Sequence, residues 1–155
     1  MKTPAEHGFT LIELIIVIAI LFILIVGLVA AFASFTKGHA LSGAAESALS
    51  LLEKARSQTL ASIGDTQYGA RFDASSMTLF AGSYSGGAPG NVVFPYDSRV
   101  TMSNISLSGA GSEVIFKRLS GATDQSGTIT FSLPNSPTVP AKVIMVSNSG
   151  LVELH

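Results

Sequence analysis

The chain has no cysteine and no tryptophan among its 155 residues, and only 12% of its residues are charged. The absence of cysteine excludes a disulfide framework and a thiolate metal site, so a folded domain has to be stabilised by its own core. Nine Lys and Arg residues face ten Asp and Glu residues, for a formal net charge of −1. This balance disfavours a basic protein that binds nucleic acid through its phosphates.

Residues that carry enzyme chemistry are few and far apart. The three histidines, His7, His39 and His155, lie in distant parts of the sequence, so no two are placed to share a metal ion or to activate a nucleophile. The glycines of residues 82–90 lack the Lys-Ser/Thr ending and the following helix of a phosphate-binding loop. We therefore expect no enzyme activity, no metal site and no cofactor.

The one long hydrophobic run lies near the N-terminus. Every residue from Leu14 to Val26 is apolar, and no charged residue occurs between Leu14 and Thr36. About 20 helical residues cross the roughly 30 Å hydrocarbon core of a bilayer, so the run predicts a single membrane-spanning helix. An ordinary secretory signal peptide is the alternative, because Ala31-Phe32-Ala33 offers a cleavage site. The run is longer than the 7–15 residues that are usual for such a peptide.

An acidic residue, Glu13, stands directly before this run. A carboxylate so close to a bilayer needs a partner, which suggests a function. The alternative is an interfacial acid at a helix start, where the helix dipole stabilises a negative charge by about 0.3–1 kcal/mol. The residue type by itself leaves both interpretations open.

The residues before the run carry a more specific motif, Gly8-Phe9-Thr10-Leu11-Ile12-Glu13. This motif resembles the processing site of type IV pilins and type II secretion pseudopilins. In that family the prepilin peptidase cleaves a short leader after the glycine, and the new N-terminal phenylalanine is methylated. The resemblance implies a cytoplasmic leader of residues 1–8, cleavage between Gly8 and Phe9, and methylation of Phe9. It also implies a single-pass protein of the bacterial inner membrane, with a periplasmic or extracytoplasmic C-terminal domain.

The same resemblance implies a role for Glu13 in assembly. In filaments of this family the glutamate faces the N-terminus of a neighbouring subunit, which here is the amine of Phe9. Opposite charges at short range offset the desolvation that penalises each group alone. We expect Gly8 and Phe9 to be the processing residues and Glu13 to be the assembly residue.

A second helical pattern follows the apolar run. Apolar and small residues recur at spacings of three and four and form one stripe along a helix: Leu41, Ala45, Ala48, Leu52, Ala55 and Thr59. Leu49 and Leu60 lie at the border of this stripe. No proline occurs between Phe9 and Ile63, so one helix can contain both patterns. The expected organisation is a leader at 1–8, a transmembrane and assembly helix at 9–36, its amphipathic continuation at 37–63 and an antiparallel β domain at 64–155.

From about Asp65 onwards, apolar and polar residues alternate, which is typical of half-buried strands. Candidate strands are 67–73, 77–81, 91–94, 99–102, 113–118, 128–133, 142–146 and 151–154. The segment Ser147-Asn148-Ser149-Gly150 predicts a hairpin turn between the last two. The expected fold class is α+β, with a long N-terminal helix packed on an antiparallel β-sheet domain.

The C-terminal part resembles the GspH/FimT branch of minor pilins and pseudopilins, through Phe116, Gly121, residues 127–131 and residues 146–152. The resemblance implies a subunit that helps to prime or cap a type IV pilus or a type II secretion pseudopilus. Its partners would be other pilin or pseudopilin subunits.

A FimT-like role in DNA uptake is the alternative function. The basic G-R-x-R motif of DNA-binding relatives is replaced here by Gly150-Leu151-Val152-Glu153. The adjacent Lys117 and Arg118 lie on a candidate strand, so their side chains are expected to point to opposite faces. We therefore expect assembly rather than nucleic-acid binding.

Overall fold

The computed structural model describes residues 9–109, 111–136 and 139–155. One helix, α1, runs from Leu11 to Leu60 and is followed by a short 3-10 turn at Ile63–Asp65. The strands are β1 (Tyr68–Phe72), β2 (Ser76–Ala81), β3 (Val92–Pro95), β4 (Thr101–Leu107), β5 (Glu113–Ile115), β6 (Gly127–Ser132), β7 (Lys142–Val146) and β8 (Val152–Leu154). The expected α+β class, with a long N-terminal helix before antiparallel strands, is confirmed.

The strands form two antiparallel sheets of four strands each. Sheet A has the order β3-β2-β1-β5, and sheet B has the order β4-β6-β7-β8. Alternation of apolar residues predicts the strands, but it carries no information on how they are shared between sheets. The hairpin turn between β7 and β8 is confirmed, since the Ser147 amide donates to the Leu151 carbonyl at 2.9 Å.

The chain divides into two compact units between Thr36 and Lys37. In the second unit, the face of α1 from Leu41 to Thr59 is buried. All six residues of the predicted stripe are at most 1% exposed. Leu41 and Leu52 share one core with Phe72 of sheet A and Phe131 of sheet B. Leu60, expected at the border of the stripe, is 44% exposed because the buried face ends one residue earlier.

The predicted strand 113–118 is shorter than expected, since β5 ends at Ile115. The chain then makes a tight turn, in which the Lys117 amide donates to the Ala122 carbonyl at 2.7 Å and the Gly121 amide donates to the Lys117 carbonyl at 2.9 Å. Arg118 lies in this turn. The expectation that Lys117 and Arg118 sit on a strand is therefore wrong.

The glycine-rich loop at residues 82–90 folds back against sheet A. The ring of Tyr84 meets the ring of Phe80 edge-on at 5.4 Å, and the guanidinium group of Arg71 lies 4.4 Å above the Tyr84 ring. Phe80 covers Gly69, where an added Cβ would be 2.6 Å from the Phe80 ring. Glycine at position 69 thus lets an aromatic ring lie directly on the backbone. Tyr84 thus holds the first part of the loop against sheet A.

Candidate functional site

The first candidate site is the start of α1. Phe9 and Thr10 precede the helix, and the Thr10 hydroxyl accepts a hydrogen bond from the Glu13 amide at 3.3 Å. Thr10 therefore acts as the N-cap and satisfies one of the amides that a helix start leaves without a partner. The sequence motif by itself does not indicate this local role of Thr10. It fixes Glu13 in the first turn of α1.

Of the sequence-predicted site residues, Phe9 and Glu13 lie at this helix start and are exposed, Phe9 by 80%. Gly8 lies outside the described residues. Both described residues can therefore contact other molecules.

The apolar run continues this exposed surface along α1. The large apolar side chains from Leu14 to Val26 are exposed by between 43%, at Val17, and 69%, at Ile23. Soluble monomers rarely expose contiguous apolar patches of more than a few hundred Å². Among the described residues, α1 is the one helix long and apolar enough to cross a membrane. Lipid or the helices of other chains can cover such a surface.

Comparison with known families decides how this N-terminus is interpreted. The model of the prokaryotic N-terminal methylation motif matches residues 3–29. The chain carries the type IV pilin signature. The matched region includes Gly8, Phe9 and Glu13. Neither the curated proteins nor the solved structures give a match for this pilin-like chain.

The signature belongs to structural subunits rather than to enzymes. It implies processing by the prepilin peptidase and assembly with other pilin subunits. Together with the exposed apolar helix, it fits a membrane-anchored protein that enters a filament.

The basic side chains of the β domain are largely paired with carboxylates. The Lys117 ammonium lies 2.7 Å from the Asp124 carboxylate, and the Arg118 guanidinium pairs with Asp65. Two further pairs are Arg71 with Asp73 at 3.3 Å and Arg99 with Asp97 at 2.8 Å. Hydrogen bonds from Arg99 hold the pKa of the Asp97 carboxyl well below its usual range. Because each of these cations has a nearby anion, their attraction for phosphate groups is weakened.

Another cation, Arg56 of α1, joins two turns of the β domain. Its Nε donates to the Gly121 carbonyl at 3.2 Å, and its Nη2 donates to the Ser149 carbonyl at 3.4 Å. Gly150 has a φ of 77°, and a Cβ there would overlap the Gly121 carbonyl oxygen. The hairpin pattern predicts Gly150 as a turn residue, whereas no pattern in the sequence points to Arg56. A charged residue beside the apolar stripe of a helix is usually solvated, and its position in the sequence does not indicate hydrogen bonds to distant carbonyl groups.

A buried phenol lies just after β3. The Tyr96 ring meets the Phe131 ring edge-on at 5.4 Å, which attaches the end of β3 to the core. Its hydroxyl is buried, and no described residue provides a hydrogen-bond partner. Burial, with a smaller effect from the Asp73 carboxylate, raises the pKa of Tyr96 above its usual range.

Proposed function

We propose that this chain is a minor subunit of a type IV pilus or of a type II secretion pseudopilus. The observation that carries the proposal is the methylation motif at residues 3–29, which is followed by a helix with exposed apolar side chains on all sides. A helix that is apolar all round is typical of a membrane span or of the core of an assembly. A filament subunit needs both environments, first the bilayer and then the bundle of neighbouring helices.

The chemistry of the N-terminus supports a specific assembly contact. Cleavage after Gly8 converts the Phe9 amide into a cationic amine, and methylation keeps that charge. Glu13 is exposed in the first turn of α1, four residues further on. An isolated carboxylate in an apolar bundle is costly, and an amine from a neighbouring subunit offsets that cost. The pair would set the axial position of an incoming subunit.

The minor role rests on the C-terminal part. The GspH/FimT-like pattern contains Gly121 and Gly150, and both lie beside Arg56 at the end of α1. We propose that the chain primes or caps the filament, anchored in the inner membrane with its β domain outside the cytoplasm. DNA uptake is not proposed, because four of the five cations that would carry it are ion-paired: Arg71, Arg99, Lys117 and Arg118.

The N-terminus of the membrane-extracted protein tests the proposal directly. Intact-mass measurement is expected to give a chain that begins at methylated Phe9. A Gly8→Val variant is expected to keep its leader, and a Gly86→Val variant provides the control, because an added Cβ at Gly86 meets no atom within 4 Å. Sheared filaments are expected to contain the processed chain in low amount. A mature terminus at Ser34 would replace the proposal with an ordinary secreted protein.

A further inference from the structure

β3 is an outer strand of sheet A, and its hydrogen bonds to β2 show which of its groups face outwards. The Tyr96 amide donates to the Ser75 carbonyl at 3.0 Å, and the same register pairs Phe94 with Met77 and Val92 with Leu79. Hydrogen-bonded and non-bonded pairs alternate in an antiparallel ladder. The amide and carbonyl groups of Val93 therefore point to the open edge, together with the carbonyl of Pro95.

β3 is short and ends in a proline, Pro95, but the outward amide and carbonyl groups of Val93 precede that proline. The other three outer strands are hindered by different features. On β5 the amide of Ile115 donates to the Gln125 side chain at 3.1 Å. β4 is interrupted by a bulge between Met102 and Asn104, and β8 has only three residues, including the charged Glu153. Natural sheets use such caps, bulges and charges to prevent unwanted strand pairing. The β3 edge instead exposes Val92 by 45% and Val93 by 58%.

A groove runs between β3 and α1. It has a volume of about 520 Å³, and its lining includes the apolar Leu51, Met77 and Phe94 beside the polar Glu46, Ser47 and Lys54 of α1. In a strand added to β3, the residue that pairs with Phe94 would have its side chain on the same face of the sheet as Phe94. That side chain would enter the groove. The edge thus offers backbone hydrogen bonds and, beside them, a groove in which alternate side chains of the added strand can contact Leu51, Met77 and Phe94.

We infer that the β3 edge binds an extended segment of a different filament subunit by strand addition, with an apolar side chain of that segment in the groove. This inference rests on the proposed function for the kind of partner. The free amide and carbonyl groups of Val93 match the backbone of a strand, which is the ligand that satisfies both at once.

A second copy of this chain is a poor occupant of the same edge. Two β3 strands paired around Val93 would bring Pro95 opposite Asn91 of the other copy. Proline has no amide hydrogen, and the Asn91 amide already donates to the Ala88 carbonyl at 3.0 Å. Self-pairing would therefore form bonds only at Val93. A strand without proline can also donate to the Pro95 carbonyl, which favours a different chain.

The absence of cysteine allows a clean crosslinking experiment on the full chain in host membranes. A Val93→Cys variant carrying a thiol-linked benzophenone is compared with an Asn104→Cys variant, whose label sits on the exposed edge strand β4. We expect an adduct between position 93 and an extended segment of another filament subunit, identified by mass spectrometry. The label at position 104 should not give this adduct.

Three further variants test the contacts themselves. Val93→Pro removes the outward amide hydrogen and no bond within the sheet, while Val93→Thr keeps both the amide and the branched shape. Ser47→Trp fills the groove from the exposed side of α1. Loss of one or two hydrogen bonds should reduce co-purification of the identified subunit about tenfold or more for Val93→Pro, with Val93→Thr unchanged. Ser47→Trp should reduce it as well, even if the proline variant folds poorly.

The inference is overturned by an adduct only with a second copy of this chain, by an adduct with a protein outside the filament, or by none at all. It is also overturned if neither Val93→Pro nor Ser47→Trp lowers co-purification. The N-terminus and the filament content of the same samples are measured in parallel. Normal processing and incorporation without the adduct reject the strand addition alone, whereas a chain that does not begin at Phe9 rejects the proposed function.

Discussion

Arg56 and Gly121 are 65 residues apart in sequence and are joined by a hydrogen bond of 3.2 Å. This bond attaches the end of α1 to the turn that follows β5. The same guanidinium group reaches the Ser149 carbonyl in the turn between β7 and β8. One side chain thus holds three separate segments together, and the two glycines beside it provide the space that this requires.

Gly150→Ala tests this arrangement. The φ of 77° disfavours any L residue, and the added Cβ would overlap the Gly121 carbonyl oxygen. We expect the free energy of unfolding to fall by about 2 kcal/mol or more. Thermal melting of the detergent-solubilised chain measures the change. Gly86→Ala is the matched control, since its Cβ meets no atom within 4 Å, and equal melting of the two variants would contradict the prediction.

Glu13→Ala tests the assembly contact. The substitution leaves the N-cap from Thr10 to the backbone in place, so cleavage and membrane insertion should be normal. Because the neighbouring amine would lose its partner, incorporation into filaments should fall about tenfold or more. Glu13→Gln should behave similarly, since it removes the charge and keeps the size. Glu53→Ala, at an exposed position of α1 outside both the apolar run and the groove beside β3, serves as the control. Normal incorporation of both Glu13 variants would remove the argument for a charge pair.

Two fragments test whether α1 belongs to the core of the β domain. A fragment from Ser34 keeps the buried face of α1, whereas a fragment from Asp65 lacks Leu41, Leu51 and Leu52, each at most 4% exposed. Burial of each such side chain contributes roughly 1.5–3 kcal/mol, which together approaches the stability of a whole domain. We expect the longer fragment to melt cooperatively as a monomer and the shorter one to aggregate or remain unfolded. Circular dichroism during heating compares them, and equal melting temperatures would show that the helix is not part of the core.

Tyr96→Phe tests the cost of an unpaired buried hydroxyl. Phenylalanine keeps the contact with Phe131 and removes the polar atom, so the free energy of unfolding should be unchanged or higher by up to about 1 kcal/mol. The pH dependence follows from the raised pKa. Above the ordinary tyrosine value of 10.0, the unfolded chain loses this proton while the folded chain keeps it, so stability falls as pH rises.

The Tyr96→Phe variant should lack this part of the alkaline loss. Tyr84→Phe is the control for removal of a hydroxyl from a partly exposed tyrosine. Chemical unfolding at pH 8 and above pH 10 compares the stability of the two variants with that of the unsubstituted chain. A loss of stability in Tyr96→Phe at pH 8 would indicate that the hydroxyl has a stabilising partner.

Much of the helix and its core face can be predicted from sequence, because the spacing of apolar residues along a helix determines which face is buried. The stripe from Leu41 to Thr59 is an example, and the alternation at Ile129 and Phe131 is another. The turn at Lys117 is different, since apolar alternation continues through Phe116 although β5 ends at Ile115. The shape of this turn depends on the positive φ of Leu119, 69°. A leucine rarely adopts this conformation, so the residue type does not predict it.

The parts that sequence could not predict depend on contacts between distant segments. Arg56 belongs to the polar side of a helix by pattern, and its role appears only when two turns reach it. The exposed state of β3 follows from the strand order, which local alternation does not specify. The N-terminal residues form the opposite case. Their motif is a contiguous run of residues, so it is recognisable from the sequence without any fold.

The ion pairs of the β domain limit its electrostatic interaction with other proteins at a distance. Arg71 and Arg99 are each paired with an aspartate two residues away, so their charges are neutralised within a single chain. Such short-range dipoles produce little field beyond the Debye length of about 8 Å at physiological salt. These four charges should therefore contribute little repulsion or attraction at a distance, and contacts made beside them should change little between physiological and high salt.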